Sequence, residues 1–206
     1  MKIILIRHGQ SEFNKISKYN RIYSGQYDCE LSEDGKKAAI NLKDNNYIKQ
    51  IKQLYSSDLK RALETAKLST GRTDIIIDKR LRERSLGDFN GKYAIDLKKK
   101  YPDYFDEGKF KNFNNDFIFK APNGENNTEV IERAKDFIKN IDLTSNNTIG
   151  IFSHGRFLSC FIGLLMNLDQ NIILKIKIPN TFPIVLIGNK IGDFIIEYPS
   201  LNDLIK

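Results

Sequence analysis

Apolar residues fall into short runs along this chain, and the polar residues between them predict alternating strands and helices. Ile3-Ile4-Leu5-Ile6 is nearly all apolar, the pattern of a strand buried on both faces of a parallel sheet. The polar region 8–31, with Gly9 and Gly25, reads as loop holding a short helix near Ser11–Ile16. Ser32-Glu33-Asp34-Gly35 opens a helix to about Leu42, and Gln53–Ser57 is a second strand. Asp58 is placed to cap the next helix, whose buried face is set by Leu59, Ala62, Leu63 and Ala66 at i, i+3, i+4 and i+7. Ile75-Ile76-Ile77 is a third strand, and Leu81–Gly91 a charged, irregular loop.

Tyr93–Lys100 predicts a helix, followed by a stretch to Lys120 rich in Phe, Tyr, Asn and Lys. Thr128 caps a helix to about Asn140, Thr148–Ser153 is a strand, and Arg156–Asn167 is a helix apolar almost all round, hence buried. Pro183–Gly188 and Phe194–Tyr198, joined by Asn189–Asp193, read as a hairpin at the sheet edge. Strands alternating with helices argue for an α/β fold with a largely parallel sheet and helices on both faces. With no internal repeat and no Pro/Gly/Ser linker, residues 1–206 read as one domain, with an insertion or lid at about 93–120.

At 206 residues the chain is long enough to bury a real core. Its longest apolar stretch, Phe157–Leu168, is interrupted by Ser159, Cys160, Gly163 and Asn167 and falls short of the about 20 apolar residues that span a bilayer. Met1-Lys2 leads directly into the first strand with no cleavage-site pattern, so a cytoplasmic protein without membrane association is expected. Cys29 and Cys160 share no metal-ligand spacing and are too few for a disulfide scaffold. The formal net charge of +7 suits an anionic substrate or nucleic acid. Lys, Asn and Ile are used heavily everywhere, however, and no nucleic-acid-binding motif accompanies the charge. The tight run Lys98-Lys99-Lys100 reads as a solvated helix end.

The chain has two histidines, and both stand at the end of an apolar run and before glycine: His8-Gly9 and His154-Gly155. Such strand exits are where α/β sheets place their ligand crevices. Three junctions deliver polar groups to that edge: Arg7-His8-Gly9-Gln10-Ser11-Glu12-Phe13-Asn14, Ser56-Ser57-Asp58-Leu59-Lys60-Arg61 and Ser153-His154-Gly155. Arg61 sits in a first helical turn, where the macrodipole disfavours a cation by roughly 0.3–1 kcal/mol. An anion held between Arg61 and the helix N-terminus would reverse that penalty; the alternative is an arginine turned to solvent. Neutral imidazole is a competent nucleophile towards phosphorus, and two flanking arginines would bind phosphoryl oxygens in fork geometry. Adjacent arginines would repel a metal cation, and no His or Cys lies at ligand spacing.

Arg7-His8-Gly9-Gln10-Ser11-Glu12-x-Asn14 with a late Ser153-His154-Gly155 resembles the histidine phosphatase superfamily, also called the phosphoglycerate mutase-like family. Further segments resemble it in the family's order: Ser24-Gly25 with Asp28, Leu31 and Gly35; Ser56 to Ala66; Leu81-Arg82-Glu83 with Gly87 and Gly91; and Gly124-Glu125 with Arg133. The resemblance implies a three-layer αβα sandwich with a mostly parallel sheet and a two-step phosphoryl transfer without cofactor or metal. His8 would be the nucleophile. Arg7, Arg61 and His154, the last acting best when protonated, would neutralise the phosphoryl oxygens, helped by Asn14 and the Gly155 backbone. Glu83 would protonate the leaving oxygen and then activate water. Gly9, Gln10, Ser11, Ser24 and Gly25 would complete the substrate site.

The chain departs from the mutase pattern. Leu86 stands where mutases place tyrosine, the cations between Lys98 and Lys120 are all lysine, and Arg156 replaces the asparagine after Ser-His-Gly. A metal-independent phosphomonoesterase acting on a small phosphorylated metabolite is therefore expected, with sugar phosphates, α-ribazole phosphate and phosphoglycerates as candidates. The alternatives are a cofactor-dependent phosphoglycerate mutase, a fructose-2,6-bisphosphatase, or a non-catalytic module that binds phospho-ligands or a protein. Arg156 is either a second anion-binding group or a helix-start arginine turned to solvent. Tyr101, Tyr104, Phe105, Phe110, Phe113, Phe117 and Phe119 either line a substrate pocket or pack the insertion onto the core.

Overall fold

The computed structural model describes residues 1–16, 21–105 and 116–205. In chain order they form β1 (Lys2–Arg7), α1 (Glu12–Lys15), β2 (Ile22–Tyr23), α2 (Glu33–Asn41), α3 (Asn46–Lys49), β3 (Gln53–Ser56), α4 (Lys60–Thr70), β4 (Ile76–Ile77) and β5 (Lys92–Tyr93). There follow α5 (Ala94–Lys100), α6 (Pro102–Phe105), α7 (Asn127–Ile138), β6 (Thr148–Ser153), α8 (Gly155–Met166), α9 (Gln170–Lys175), β7 (Pro183–Ile187), β8 (Ile195–Tyr198) and α10 (Leu201–Leu204). Six strands form a sheet in the order β4-β3-β6-β1-β7-β8, and β2 pairs with β5 in a separate ribbon. The strands from β4 to β1 run parallel, while β7 and β8 add an antiparallel edge, the hairpin expected for the tail.

Three layers follow from the two-sided burial of β1. Ile3 and Leu5 join Ile149, Ile151 and the α7–α8 residues Val130, Phe137, Phe157 and Phe161 in one core. Ile4 and Ile6 point the other way, into a second core with Leu54, Phe152, Leu42 and Ala66. This is the period-two alternation of a strand covered on both sides. Helix α8 is buried nearly all round, as its composition requires, and Lys98–Lys100 are exposed in the last turn of α5. Among the described residues, no helix is long and apolar enough to cross a membrane.

Local chemistry corrects two caps. Asp58 does not cap α4: its carboxylate is paired with Arg82, Oδ1 to Nε at 2.7 Å. The first helical N–H, of Lys60, instead donates to Asp28 Oδ1 at 2.7 Å, so the cap comes from a loop distant in sequence. The later helix α7 is capped by Asn126, in a reciprocal box with Glu129, rather than by Thr128. In the 93–120 region, Tyr101, Tyr104 and Phe105 group around the buried Phe89, and Phe119 packs on Tyr104. Phe117 is buried in the larger core, and Phe110 and Phe113 lie outside the described residues.

The loop after β1 is pressed onto the start of α2. The Ser32 N–H donates to the Gln10 carbonyl and its hydroxyl to Gln10 Oε1, both at 2.9 Å. A methyl group on Gly9 would lie 2.6 Å from the Gly35 carbonyl oxygen, and one on Gly35 would overlap the Gln10 carbonyl. Backbone-to-backbone approach of this kind needs glycine on both sides. Gly35→Ala is therefore expected to destabilise the protein by about 1–3 kcal/mol, although helix propensity alone favours alanine by up to about 1 kcal/mol. Urea denaturation of the two proteins reads the sign.

Candidate active site

The strand register sets the geometry. β1 and β6 are parallel neighbours with Arg7 opposite Ser153, so His8 and His154, one residue further on, leave the sheet at the same level. Their ring centroids are 5.1 Å apart. β3 lies on the other side of β6 with Ser56 opposite Phe152, and the chain turns through Ser57 and Asp58 into α4. That turn places Arg61 against His8.

His8 Nδ1 lies 2.6 Å from the Gly9 carbonyl oxygen. A carbonyl only accepts, so the ring proton sits on Nδ1 and Nε2 keeps its lone pair. That lone pair receives Arg61 Nε at 3.3 Å. Arg61 is 1% exposed and is fixed by donating Nη1 to the Tyr27 carbonyl and Nη2 to the Gly25 carbonyl, each at 2.8 Å. Gly25 reaches this position with φ +46°, a conformation natural to glycine. Arg7 Nη1 donates to the Ile178 carbonyl at 2.8 Å, and Gly155 lies against the Arg7 guanidinium. His154 Nε2 is 3.0 Å from Ser57 Oγ, and its Nδ1 is buried without a partner among the described residues. Ser57 Oγ already accepts the Leu59 N–H at 3.3 Å. Its remaining lone pair and proton let it serve His154 in either protonation state.

Glu83 sits across from these groups, at the start of α8. Oε1 accepts the N–H groups of Arg84 at 2.8 Å and Phe157 at 3.1 Å, while Oε2 accepts that of Arg156 at 3.2 Å. The carboxylate thus supplies α8 with the cap that its N-cap residue, His154, lacks. Oε1 has both lone pairs engaged; Oε2 retains one and is the oxygen able to carry a proton. Arg133, from α7, steadies the loop bearing Glu83. Its Nη1 donates to the carbonyls of Arg80 at 2.6 Å and Arg82 at 2.8 Å, and its Nε and Nη2 hold the Glu125 carboxylate. Glu125 Oε2 in turn accepts the Ser85 N–H at 2.7 Å.

A cavity of about 460 Å³ opens over this edge and is lined by Arg7, His8, Asn14, Ser24, Gly25, Arg61, Glu83, Gly155 and Arg156 among the residues expected from sequence. His154 is fully buried behind His8. Gly9, Gln10 and Ser11 are not on its wall. The Gly9 N–H donates to Thr65 Oγ1 at 2.9 Å, Gln10 is bound by Ser32, and Ser11 caps α1. The sequence reading missed Ser57 as the partner of His154, and Arg84, Leu86 and Lys177 on the wall. Ser57 had a signal, since two serines stand together at a strand exit; Lys177 had none. Among the described residues, no group of three or more His, Cys, Asp or Glu is placed to hold a metal ion.

The model of the histidine phosphatase superfamily, branch 1, matches residues 3–191. The chain belongs to this superfamily. Within it, the chain is 28% identical to a 2,3-bisphosphoglycerate-dependent phosphoglycerate mutase of Bifidobacterium longum, over 89% of this chain and 85% of that protein. Similar folds are a mycobacterial glucosyl-3-phosphoglycerate phosphatase complexed with VO3 (TM-score 0.79, 24% identity, 95% and 96% coverage) and the α-ribazole phosphatase of Shigella flexneri (TM-score 0.78, 24% identity, 96% and 95% coverage).

In this chain, burial and then the Arg61 and Arg7 guanidiniums push His8 well below its ordinary 6.5. Burial, then Arg61, His8 and Arg7, do the same to His154. Both rings are thus neutral at neutral pH in the free protein; the expected protonation of His154 concerns the state with a phosphate dianion bound. In the unfolded chain both titrate near 6.5. Below that pH the unfolded state takes up protons that the folded state refuses, so their stability contribution is complete above pH 6.5 and declines as pH falls. Going from about pH 7.5 to about pH 5.5 is expected to cost about 1.4 kcal/mol per histidine. His8→Asn and His154→Asn should each flatten that pH dependence in urea titrations.

Proposed function

We propose that the protein is a metal-independent phosphomonoesterase that works through a phosphohistidine on His8 and acts on a small phosphorylated metabolite. The observation that carries this reading is the neutral His8, its proton on Nδ1 and its Nε2 lone pair met by the buried Arg61 guanidinium, within the field of Arg7. In the free protein Arg61 Nε occupies that lone pair; a bound phosphoryl group would draw Arg61 onto its oxygens and release Nε2 for attack. The Nε2–P bond forms as the P–O ester bond breaks, and Glu83 Oε2 supplies a proton to the leaving oxygen. Arg7, Arg61, His154, Asn14 and the N-terminus of α8 offset the charge on the transferring group. Water then attacks the phosphohistidine, giving its proton to Glu83 and freeing inorganic phosphate.

Hydrolysis rather than phosphate return is favoured by Leu86 on the cavity wall and by the short loop ending in Gly91. The phosphatases of similar fold support it. The second reading, a mutase, draws on the 28% identical relative. A phosphate-ester panel with EDTA present tests the first. Wild type should release phosphate, and His8→Ala should fall by about 10⁴-fold or more; activity retained by His8→Ala would refute the mechanism. Glu83→Gln should lose about 10²–10⁴-fold on alkyl phosphates and much less on p-nitrophenyl phosphate, whose leaving group needs no proton. With 3-phosphoglycerate and a 2,3-bisphosphoglycerate primer, isomerisation outrunning phosphate release would establish the mutase instead.

A further inference from the structure

One wall of the cavity carries positive charge that a single phosphate at His8 does not use. Arg156 follows Gly155, which lies against Arg7, and its side chain lines the cavity. Among the described residues its guanidinium enters no ion pair, and Nη1 is buried without a hydrogen-bond partner. Arg84, 3% exposed, lines the same cavity, and Lys177 reaches it from the segment after α9. Burial and then the charge of Arg156 push the Arg84 guanidinium down to about 10, which places the two cations within each other's field. Nearby Cys160 supplies no compensating anion, because burial pushes its thiol up to about 12. Glu83 is the one acidic residue among the described lining residues, against Arg7, Arg21, Arg61, Arg84, Arg156 and Lys177.

A guanidinium on a cavity wall with no carboxylate paired to it keeps its attraction for an anion. A planar fork of donors fits a carboxylate or a second phosphate. We propose that Arg156 binds a second anionic group of the substrate, so that the protein selects small phosphate monoesters bearing a carboxylate or another phosphate. This deepens the phosphomonoesterase reading and rests on it. Metabolites of three to six carbons with two anionic ends suit a cavity of about 460 Å³.

Matched ester pairs test it. 3-Phosphoglycerate and glycerol 3-phosphate differ by a carboxylate against a hydroxymethyl group; fructose 1,6-bisphosphate and fructose 6-phosphate differ by the second phosphate. In at least one pair, kcat/KM for phosphate release should favour the dianionic-ended ester by about 10- to 100-fold. Arg156→Gln should collapse that ratio towards one; if it fails to fold, Arg156→Lys is read by the same ratio and should reduce it. Calorimetric binding of the same pairs to His8→Ala separates the two readings. A preference in binding without wild-type turnover would refute the phosphatase and keep the subsite. Turnover with ratios near one in both pairs, or a ratio unchanged in the Arg156 variant, would refute the subsite and keep the phosphatase.

Discussion

Buried positive charge beside neutral imidazole is the constraint around which this molecule is arranged. Arg61 is almost fully buried and Arg7 is desolvated, and both lie at the point where the central strands end. A carboxylate partner would quench them, and the fold supplies neutral oxygens instead: the carbonyls of Gly25 and Tyr27 for Arg61 and of Ile178 for Arg7. Carbonyls satisfy the donors without cancelling the charge. The site therefore keeps an attraction for anions that a set of salt bridges would have removed. The same field holds both histidines in the form that can act as base or nucleophile.

The scaffold serves this constraint at each level. Parallel pairing of β1 with β6 is a ruler that brings two histidines separated by most of the chain to one level. Helices α4 and α8 both begin at that edge, so their N-termini add to the positive field. Glu83 links the halves, since one carboxylate caps α8 and shares the cavity wall with His8, and Arg133 and Glu125 fix the loop that carries it. The Glu83 loop and the start of α8 thereby share one hydrogen-bonded unit.

Much of this was legible in the chain. β1 is a solid apolar run, α8 is apolar all round, and Arg7, His8 and His154 stand at strand exits where side-chain direction follows from period and register. Legibility failed where a residue had a choice of partners. Asp58 has the right chemistry for a cap, but Arg82 offers a charged, bidentate partner, and Asp28 takes over the helix N-terminus. Gln10 and Ser11 were expected at the substrate site from their place beside His8, and they are off the cavity wall, engaged by Ser32 and the first turn of α1.

The sequence by itself determined the layered fold, the strand ends and the residue types gathered at them, because local periodicity and backbone preference act within a few residues. Only the tertiary structure decided which nitrogen of His8 is bare, which oxygen of Glu83 is open, and that Arg156 faces the cavity. The His8 proton is placed by the adjacent Gly9 carbonyl, but the nitrogen left bare meets Arg61, 53 residues away, and the Glu83 oxygens are shared out by N–H groups 73 and 74 residues away. Burial then sets the strength of their interaction, and no window of sequence contains it.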